Sequence, residues 1–595
     1  MRLCGSAVWD GYPSRLRSRV FDGKRGPVTD SLLATQSHLA GDSSTSNWER
    51  LRTRFAQGQA DVALIQDMTE GARRADKSRA LLGWLAQNHG TSGKGILAII
   101  SVLLDVDEKA MARQVVHDAL SLHEAYGDYL SHFAEFLISA NHYTKGAQIL
   151  GWLCELMQHD FKLHHLYLKT LYRLGDHRRH HALSQAFAEQ LPNQLDFALE
   201  DIRTQVYRPG ISRQEIHANK RQWATSVQTL VPEEARPAPR ETSTLRIALV
   251  GDYLHPMFIE PILRHYDSST IDLHIFTNDS RVQEIWQGTH HPLPLDDLKG
   301  VAATMRAMQI DILIEMTARM EELELMSYRP APLQGGWIAT SITQVFSFSD
   351  FVLADPVIIP EQERDDWSEE IVDLPVWAPF TFFQNVPEVQ PCPSINQGYV
   401  TFGACQRAMK FNHEMLVLWG QLLERIPKSR LVLKDQSFED PLAAQAMRVR
   451  CQDAKIDLSR LILEPGTPHP KYYEYYHQVD ISLDTYPYGG GILTAESLWM
   501  GVPVVTLQGD RFNGRLAQTY LQAVGAEQWV TETPQDYIDV AAALAADLEC
   551  RKQFRTTSRS RMLNSPIMQH EAYGQRWSEV MWKMHRSHLA SFNKD

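Results

Sequence analysis

Several chemistries are excluded by what the chain does not contain. Its six cysteines, Cys4, Cys154, Cys392, Cys405, Cys451 and Cys550, are scattered with no CxxC pair. That pattern excludes a zinc ribbon or a disulfide framework and fits a reducing compartment. There is no long basic run and the net charge is −13, so neither nucleic acid nor an anionic membrane is an expected partner. The longest apolar stretch, Ile96–Leu104, is too short to cross a bilayer, and no apolar h-region follows the first residues. Together these absences predict a cytoplasmic protein. What remains is ordinary globular composition, 44% hydrophobic and 22% charged over 595 residues, enough for about three or four domains.

The most legible stretch runs from Val479 to Gly525. Val479–Thr485 is apolar and rich in β-branched residues, as a buried strand would be. YPYGGG (Tyr486–Gly491) follows, then a short helical pattern over Ile492–Gly501 and a second strand pattern over Val502–Leu507. Strand, glycine turn, helix and strand make a parallel βαβ unit. Gly489, Gly490 and Gly491 leave no side chains between backbone and ligand, and the helix opening there presents unpaired N–H groups that suit a diphosphate. Glu496, in the first turns of that helix, is placed to accept hydrogen bonds from ribose hydroxyls. The plainer alternative is a glycine turn beside an exposed carboxylate.

Taken in order, residues 1–45 read as a loose segment and residues 46–230 as an all-α domain. Within the latter, the sequence around Tyr143 realigns with that around His177, 34 residues on, which also sets Asn141 opposite Gly175. Thirty-four is the period of tetratricopeptide repeats; an irregular helical domain is the alternative. A proline-rich linker, 231–244, precedes two α/β regions, 245–395 and 396–570, and a C-terminal helix, 571–595. Strand patterns at Leu245–Leu254, Ile271–Thr277, Ile310–Met316, Phe351–Asp355 and Ile371–Pro375 alternate with helical spacers. Those at Tyr399–Ala404, Arg430–Lys434, Leu461–Gly466, Val479–Thr485 and Val502–Leu507 do the same. The fold class expected is therefore α/β GT-B, two doubly wound Rossmann-like domains preceded by an all-α tetratricopeptide-like domain.

Several ordered motifs carry a family resemblance. Arg329–Asp355 (RPAPLQGGW to FVLAD), Phe402–Asn412 (FGACQRAMKFN), Asp480–Leu507, Gly509–Gly525 and Ser565–Ile567 resemble the O-linked N-acetylglucosaminyltransferase and SPINDLY-type proteins of glycosyltransferase family 41. The resemblance runs from about Leu245 to the C-terminus. It implies an inverting, metal-independent transfer of a sugar, N-acetylglucosamine or glucose, from a UDP-sugar to a protein side chain (Ser/Thr or Asn). It implies no cofactor and a protein acceptor bound through the helical domain. No Asp-x-Asp stands at a strand end in the α/β region, although Asp105 and Asp107 form one in the helical part.

The resemblance also implies site residues. Lys410 takes the place of the lysine that contacts the donor diphosphate, where an ammonium offsets charge on the leaving group. Gln406 and Arg407, just before it, stand to add donors. His255, in GDYLHP, corresponds to the histidine after the first strand that orients or deprotonates the acceptor. Thr467, His469 and Tyr472 fall in the segment that holds the nucleobase, with Tyr472 as a stacking ring. Thr494 keeps one hydroxyl at the glycine turn, and Arg515 either supports the donor loop or sits on a helix surface.

The chain departs from its family at two places. Ile492 and Leu493 stand where relatives carry His-Thr-Thr or a run of threonines, and Ala339–Val345 (ATSITQV) replaces Gly-Tyr-Pro-Gly-Thr-Ser-Gly. Two rival readings follow: a catalytically weak or inactive protein-binding module, and a transferase whose acceptor is a glycan or lipid carrier.

Overall fold

The computed structural model describes residues 93–105, 108–122, 125–158, 160–190, 196–228, 233–251, 254, 256–382, 385–468 and 470–593. The expectations for residues 1–45 and for the start of the helical domain lie outside these. So do those for His255, His469 and the second aspartate of the Asp-x-Asp. The chain divides into two compact units, 11–171 and 172–595.

The first unit is helical throughout its described residues. Helix Tyr143–Leu156 shows why: it buries Tyr143, Ala147, Leu150 and Cys154, and Ile149 and Leu153 beside them, at the three- and four-residue spacing of one helical face. Helices Tyr143–Leu156 and His177–Gln190 are each 14 residues long and begin 34 residues apart. Two residues before each lies a left-handed residue, Asn141 with φ 65° and Gly175 with φ 72°. Asparagine and glycine tolerate that conformation best. The same turn thus recurs at the tetratricopeptide period.

The second unit opens with helices His177–Gln190, Asp196–Thr204 and Arg213–Val227, then builds two parallel sheets. The first contains β1 (Leu245–Val250), β2 (Ile271–Phe276), β3 (Thr289–His291), β4 (Ile312–Glu315), β5 (Leu333–Gly336), β6 (Phe351–Ala354) and β7 (Glu370–Asp373), ordered 3-2-1-4-5-6-7. The second contains β8 (Val400–Cys405), β9 (Ser429–Lys434), β10 (Leu461–Glu464), β11 (Ile481–Leu483), β12 (Val504–Leu507) and β13 (Val530–Thr531), ordered 10-9-8-11-12-13. Two doubly wound sheets in one chain are the GT-B fold expected from the sequence. The strand order reverses between β1 and β4 and between β8 and β11, and such switch points are where open α/β sheets leave a ligand crevice.

Strands β3, β5 and β13 were not evident from the pattern. β5 is the instructive case: Leu-Gln-Gly-Gly has no β-branched residue, yet it lies between β4 and β6 and is fully buried. A Cβ at Gly335 would stand 2.2 Å from the Phe351 carbonyl oxygen, so glycine here permits close strand approach. The proline-rich strap before β1 is fastened rather than free: Arg240 holds Asp311 through two hydrogen bonds of 2.8 and 2.6 Å. The last helix, His570–Phe592, returns to the first sheet's domain. There Trp582 Nε1 donates to Thr270 Oγ1 at 3.1 Å, and the Asp267 amide donates to Ser578 Oγ at 2.9 Å.

Glu363 ties the two sheets and the helical segment together. Arg515, from the second sheet's domain, donates to both its oxygens at 2.7 and 2.6 Å. Arg213, from helix Arg213–Val227, approaches it at 2.5 Å and reaches Asp366 at 2.8 Å. Removing the acceptor leaves the largely buried Arg515 guanidinium without its carboxylate and Arg213 with Asp366 alone. Glu363→Ala is expected to destabilise this unit by roughly 3 kcal/mol, at the low end for buried pairs because the glutamate side chain is 15% exposed. Thermal melting followed by circular dichroism checks this, and an unchanged melting temperature would remove the bridge from the account.

Candidate active site

The switch point of the second sheet sets the loop after β8 beside the loop after β11. The first carries Gln406 and Lys410, the second Asp484 and the glycine turn. Lys410 lies in a short 3-10 turn, Ala408–Lys410, and is buried. Its Nζ donates to the Gly489 carbonyl at 2.7 Å and to Gln406 Oε1 at 3.2 Å. It also lies 4.1 Å from the centre of the Tyr488 ring. Burial pushes the amine down to about 7, with the Asp484 carboxylate pulling the other way.

Asp484 was not singled out from the sequence, yet it organises the turn. Its side chain accepts from the Gly490 amide at 2.7 Å, Thr506 Oγ1 at 2.7 Å and Gln406 Nε2 at 3.2 Å. Burial raises its carboxyl to about 6, while the Thr506 hydroxyl and Lys410 hold it lower. A signal was available: Asp484 ends a buried strand just before a run of glycines, where a carboxylate can receive the turn's own N–H groups. A Cβ at position 490 would lie 2.6 Å from Gln406 Nε2 and displace that amide. Asn412 was missed too; its Nδ2 donates to the Tyr486 carbonyl at 2.5 Å and helps close the loop.

The triple glycine is only partly bare. The Gly489 amide donates to the Asn513 carbonyl at 2.9 Å and that of Gly490 to Asp484. The amides of Gly491, Ile492 and Leu493, at the start of helix Ile492–Trp499, make no hydrogen bond among the described residues. Ile492 and Leu493 are half-buried. Thr494 turns its hydroxyl back onto the Gly490 carbonyl at 2.7 Å, so that proton is committed within the turn.

Three residues expected at the donor have partners within the protein. Glu496 is buried among tyrosines, accepting from Tyr476 at 3.3 Å, and burial pushes its carboxyl up to about 8. Burial thus disfavours its anion, and tyrosine hydroxyls occupy the carboxyl that was expected to meet a ribose. The hydroxyl of Tyr472 lies 2.9 Å from Cys405 Sγ, and its ring stands edge-on to Tyr473 and Tyr476. Arg515 is neither a donor-loop support nor a surface residue, because Glu363 engages it as described. Thr467 is half-buried in the loop after β10. The site brought together is thus Gln406, Lys410, Asp484, Gly489, Gly490, Gly491 and Thr494.

Across the first sheet's domain, the Ala339–Val345 loop is sealed by two buried carboxylates. Glu315, at the end of β4, accepts from Thr340; Glu369 accepts from Thr343 at 2.7 Å and from the Gln344 amide at 2.6 Å. Burial raises the Glu315 carboxyl to about 7. The loop is flanked by Ile338 with φ 61° and Val345 with φ 76°, conformations that β-branched residues rarely take.

Comparison with known proteins bears on this geometry. Residues 394–577 match the model of Glycosyl transferase family 41. A probable UDP-N-acetylglucosamine–peptide N-acetylglucosaminyltransferase SPINDLY of Eustoma exaltatum subsp. russellianum is 32% identical over 281 residues, covering 46% of this chain and 30% of that protein. The corresponding protein of Arabidopsis thaliana is 31% identical over 279 residues, with the same coverage of 46% and 30%. The chain thus spans less than a third of these relatives' length. A variant of the Thermobaculum terrenum O-GlcNAc transferase superimposes with a TM-score of 0.73 at 22% identity, over 84% of this chain and 98% of that one, a likeness of fold. The resemblance expected from the motifs is thereby shown: over residues 394–577 the chain matches glycosyltransferase family 41, on a GT-B frame.

Proposed function

We propose that the protein is an inverting, metal-independent glycosyltransferase that moves N-acetylglucosamine or glucose from a UDP-sugar to a Ser/Thr or Asn side chain of a protein. One observation carries this reading: a buried ammonium, Lys410, beside a glycine turn whose following helix offers unpaired amides. The family match and the activity named for the plant relatives agree with it. In the reaction, the acceptor oxygen or nitrogen attacks the anomeric carbon and gives up its proton to solvent. The bond from that carbon to the β-phosphate oxygen breaks, and its electron pair stays on the diphosphate. Lys410 and the amides of Gly491, Ile492 and Leu493 offset the charge gathering there. His255 aligns the nucleophile, and the helical domain delivers the acceptor protein. We place the reaction in the cytoplasm; the five described cysteines are all free.

A second reading, a protein-binding module with little or no turnover, has an observation of its own. The Gly490 amide and the Thr494 hydroxyl are already taken within the turn, and the Ala339–Val345 loop is closed by Glu315 and Glu369. The two readings separate when the full chain is incubated with a panel of UDP- and GDP-sugars. The first requires donor hydrolysis together with mass added to proteins of the host lysate; UDP binding without transfer supports the second. Lys410→Ala is expected to lower turnover by about 10²–10³ with the melting temperature retained. Undiminished turnover would remove the lysine from the mechanism.

The depressed amine has a consequence for pH. With burial lowering the amine to about 7, Lys410 is expected to be largely neutral in the free site at pH 8, where the terminal phosphate of UDP is already ionised. Binding that anion favours the ammonium and raises its midpoint. UDP binding at pH 8 is therefore expected to take up close to one proton, read by calorimetry in buffers of different ionisation enthalpy. Lys410→Arg, charged throughout, should abolish the uptake. Equal proton uptake in both proteins would count against a neutral amine in the free site.

A further inference from the structure

Lys410 is held from a direction that the transfer mechanism does not use. Its ammonium faces the Tyr488 ring at 4.1 Å, and the far side of that ring stacks on Tyr207 with centres 4.5 Å apart and planes 29° apart. Tyr207 belongs to the helical segment, in the short turn Gln205–Tyr207, and is buried. It is itself boxed in by Tyr172, edge-on at 5.3 Å, and by His177, stacked at 5.8 Å. The same segment grips the backbone that carries the lysine. His177 Nε2 donates to the Met409 carbonyl at 2.5 Å, and a Cβ at Gly175 would lie 3.0 Å from the Ala408 carbonyl oxygen and Met409 Cα. Both the lysine's chain and the ring opposite its charge are thus fixed by residues 172–207.

We propose that Tyr488 is a positioning residue for the Lys410 ammonium, and that Tyr207, stacked behind it, makes the helical segment part of the donor site. The inference rests on Lys410 being the diphosphate contact. An aromatic face carries negative electrostatic potential and favours a cation over it, most strongly where water is excluded. Besides Tyr488, the groups facing the amine are the carboxylate of Asp484, from the loop after β11, and Arg407, from its own loop. The ring adds attraction without adding a second buried anion. Tyr207 keeps the ring from tilting away, because a ring backed on one side can offer only its other face.

A purely space-filling role predicts something different, since any side chain of similar volume would then serve. The test uses the full chain with 13Cε-labelled lysine, Lys410 being assigned by its loss in Lys410→Arg. Tyr488→Leu is expected to lower the Lys410 titration midpoint by roughly one pH unit. Tyr207→Leu should lower it by less, and Tyr488→Phe and Tyr207→Phe should preserve it. UDP affinity at pH 8 should fall about tenfold in Tyr488→Leu, in step with the midpoint. Should the leucine variants fold poorly, mono- and trifluorinated phenylalanine at position 488 keep the size and weaken the face, and the midpoint should fall stepwise. A midpoint unmoved by leucine or by fluorination, or a phenylalanine variant that falls as far as leucine, overturns the inference. If the unsubstituted chain binds no UDP, the donor reading fails, while the ligand-free titration still decides the role of the two rings.

Discussion

The contact between the Lys410 ammonium and the Gly489 carbonyl is the constraint on which the site depends. Taking an ammonium out of water carries a penalty of several kcal/mol, which only good geometry and further polar partners offset. Here the partners are a main-chain oxygen, the Gln406 amide, the Tyr488 face and the field of Asp484. The arrangement fixes the glycine turn in turn. With its carbonyl aimed at Lys410 and the Gly490 amide at Asp484, the peptide groups are committed, and the helix after them is launched in one direction. The lysine is therefore as much the keystone of the turn as a group presented by it.

The same logic recurs where the parts of the second unit meet. Glu363 answers two arginines, one from the helical segment and one from the second sheet's domain. Asp355, at the end of β6, accepts from the Trp377 amide and from Thr519 at 2.5 and 2.6 Å. Each junction uses a buried carboxylate satisfied from two directions, which makes the relative placement of the elements specific. An apolar seam alone would tolerate sliding; a carboxylate that must meet both partners does not. The Tyr172, Tyr207 and Tyr488 cluster lies on this framework, and that is why a ring from the helical segment can reach the lysine loop.

How much of this was legible in the sequence depended on periodicity. Strands such as Leu245–Val250 and Arg430–Lys434 announced themselves by apolar, branched runs, and Asn141 and Gly175 marked a repeated turn. β5 did not, because its strand character comes from its neighbours and not from Leu-Gln-Gly-Gly. Within the site, Lys410 and the glycines were readable from local motif. Asp484 lay in plain view but acquires its meaning only when Gln406 and Thr506 are folded against it. Arg515 and Glu496 misled for one reason: a charged residue near a glycine turn looks like a ligand contact until its buried partner, 152 residues away for Arg515 and 20 for Glu496, is known. Sequence proximity records local geometry well and buried pairing poorly.

The aliphatic pair Ile492–Leu493 then takes on a different weight. Hydroxyl or imidazole groups at these positions would be side-chain donors; here the groups at the turn left without a partner among the described residues are the main-chain amides of Gly491, Ile492 and Leu493. A backbone amide at a helix start is oriented by the helix and loses no side-chain entropy when it meets an anion. Ile492 and Leu493 are half-buried, and a charge facing these amides is felt more strongly the less water surrounds it. With aliphatic side chains at 492 and 493, the side-chain charge at the turn comes from the Lys410 loop, and Gln406, Gly489, Tyr488 and Asp484 converge on that lysine.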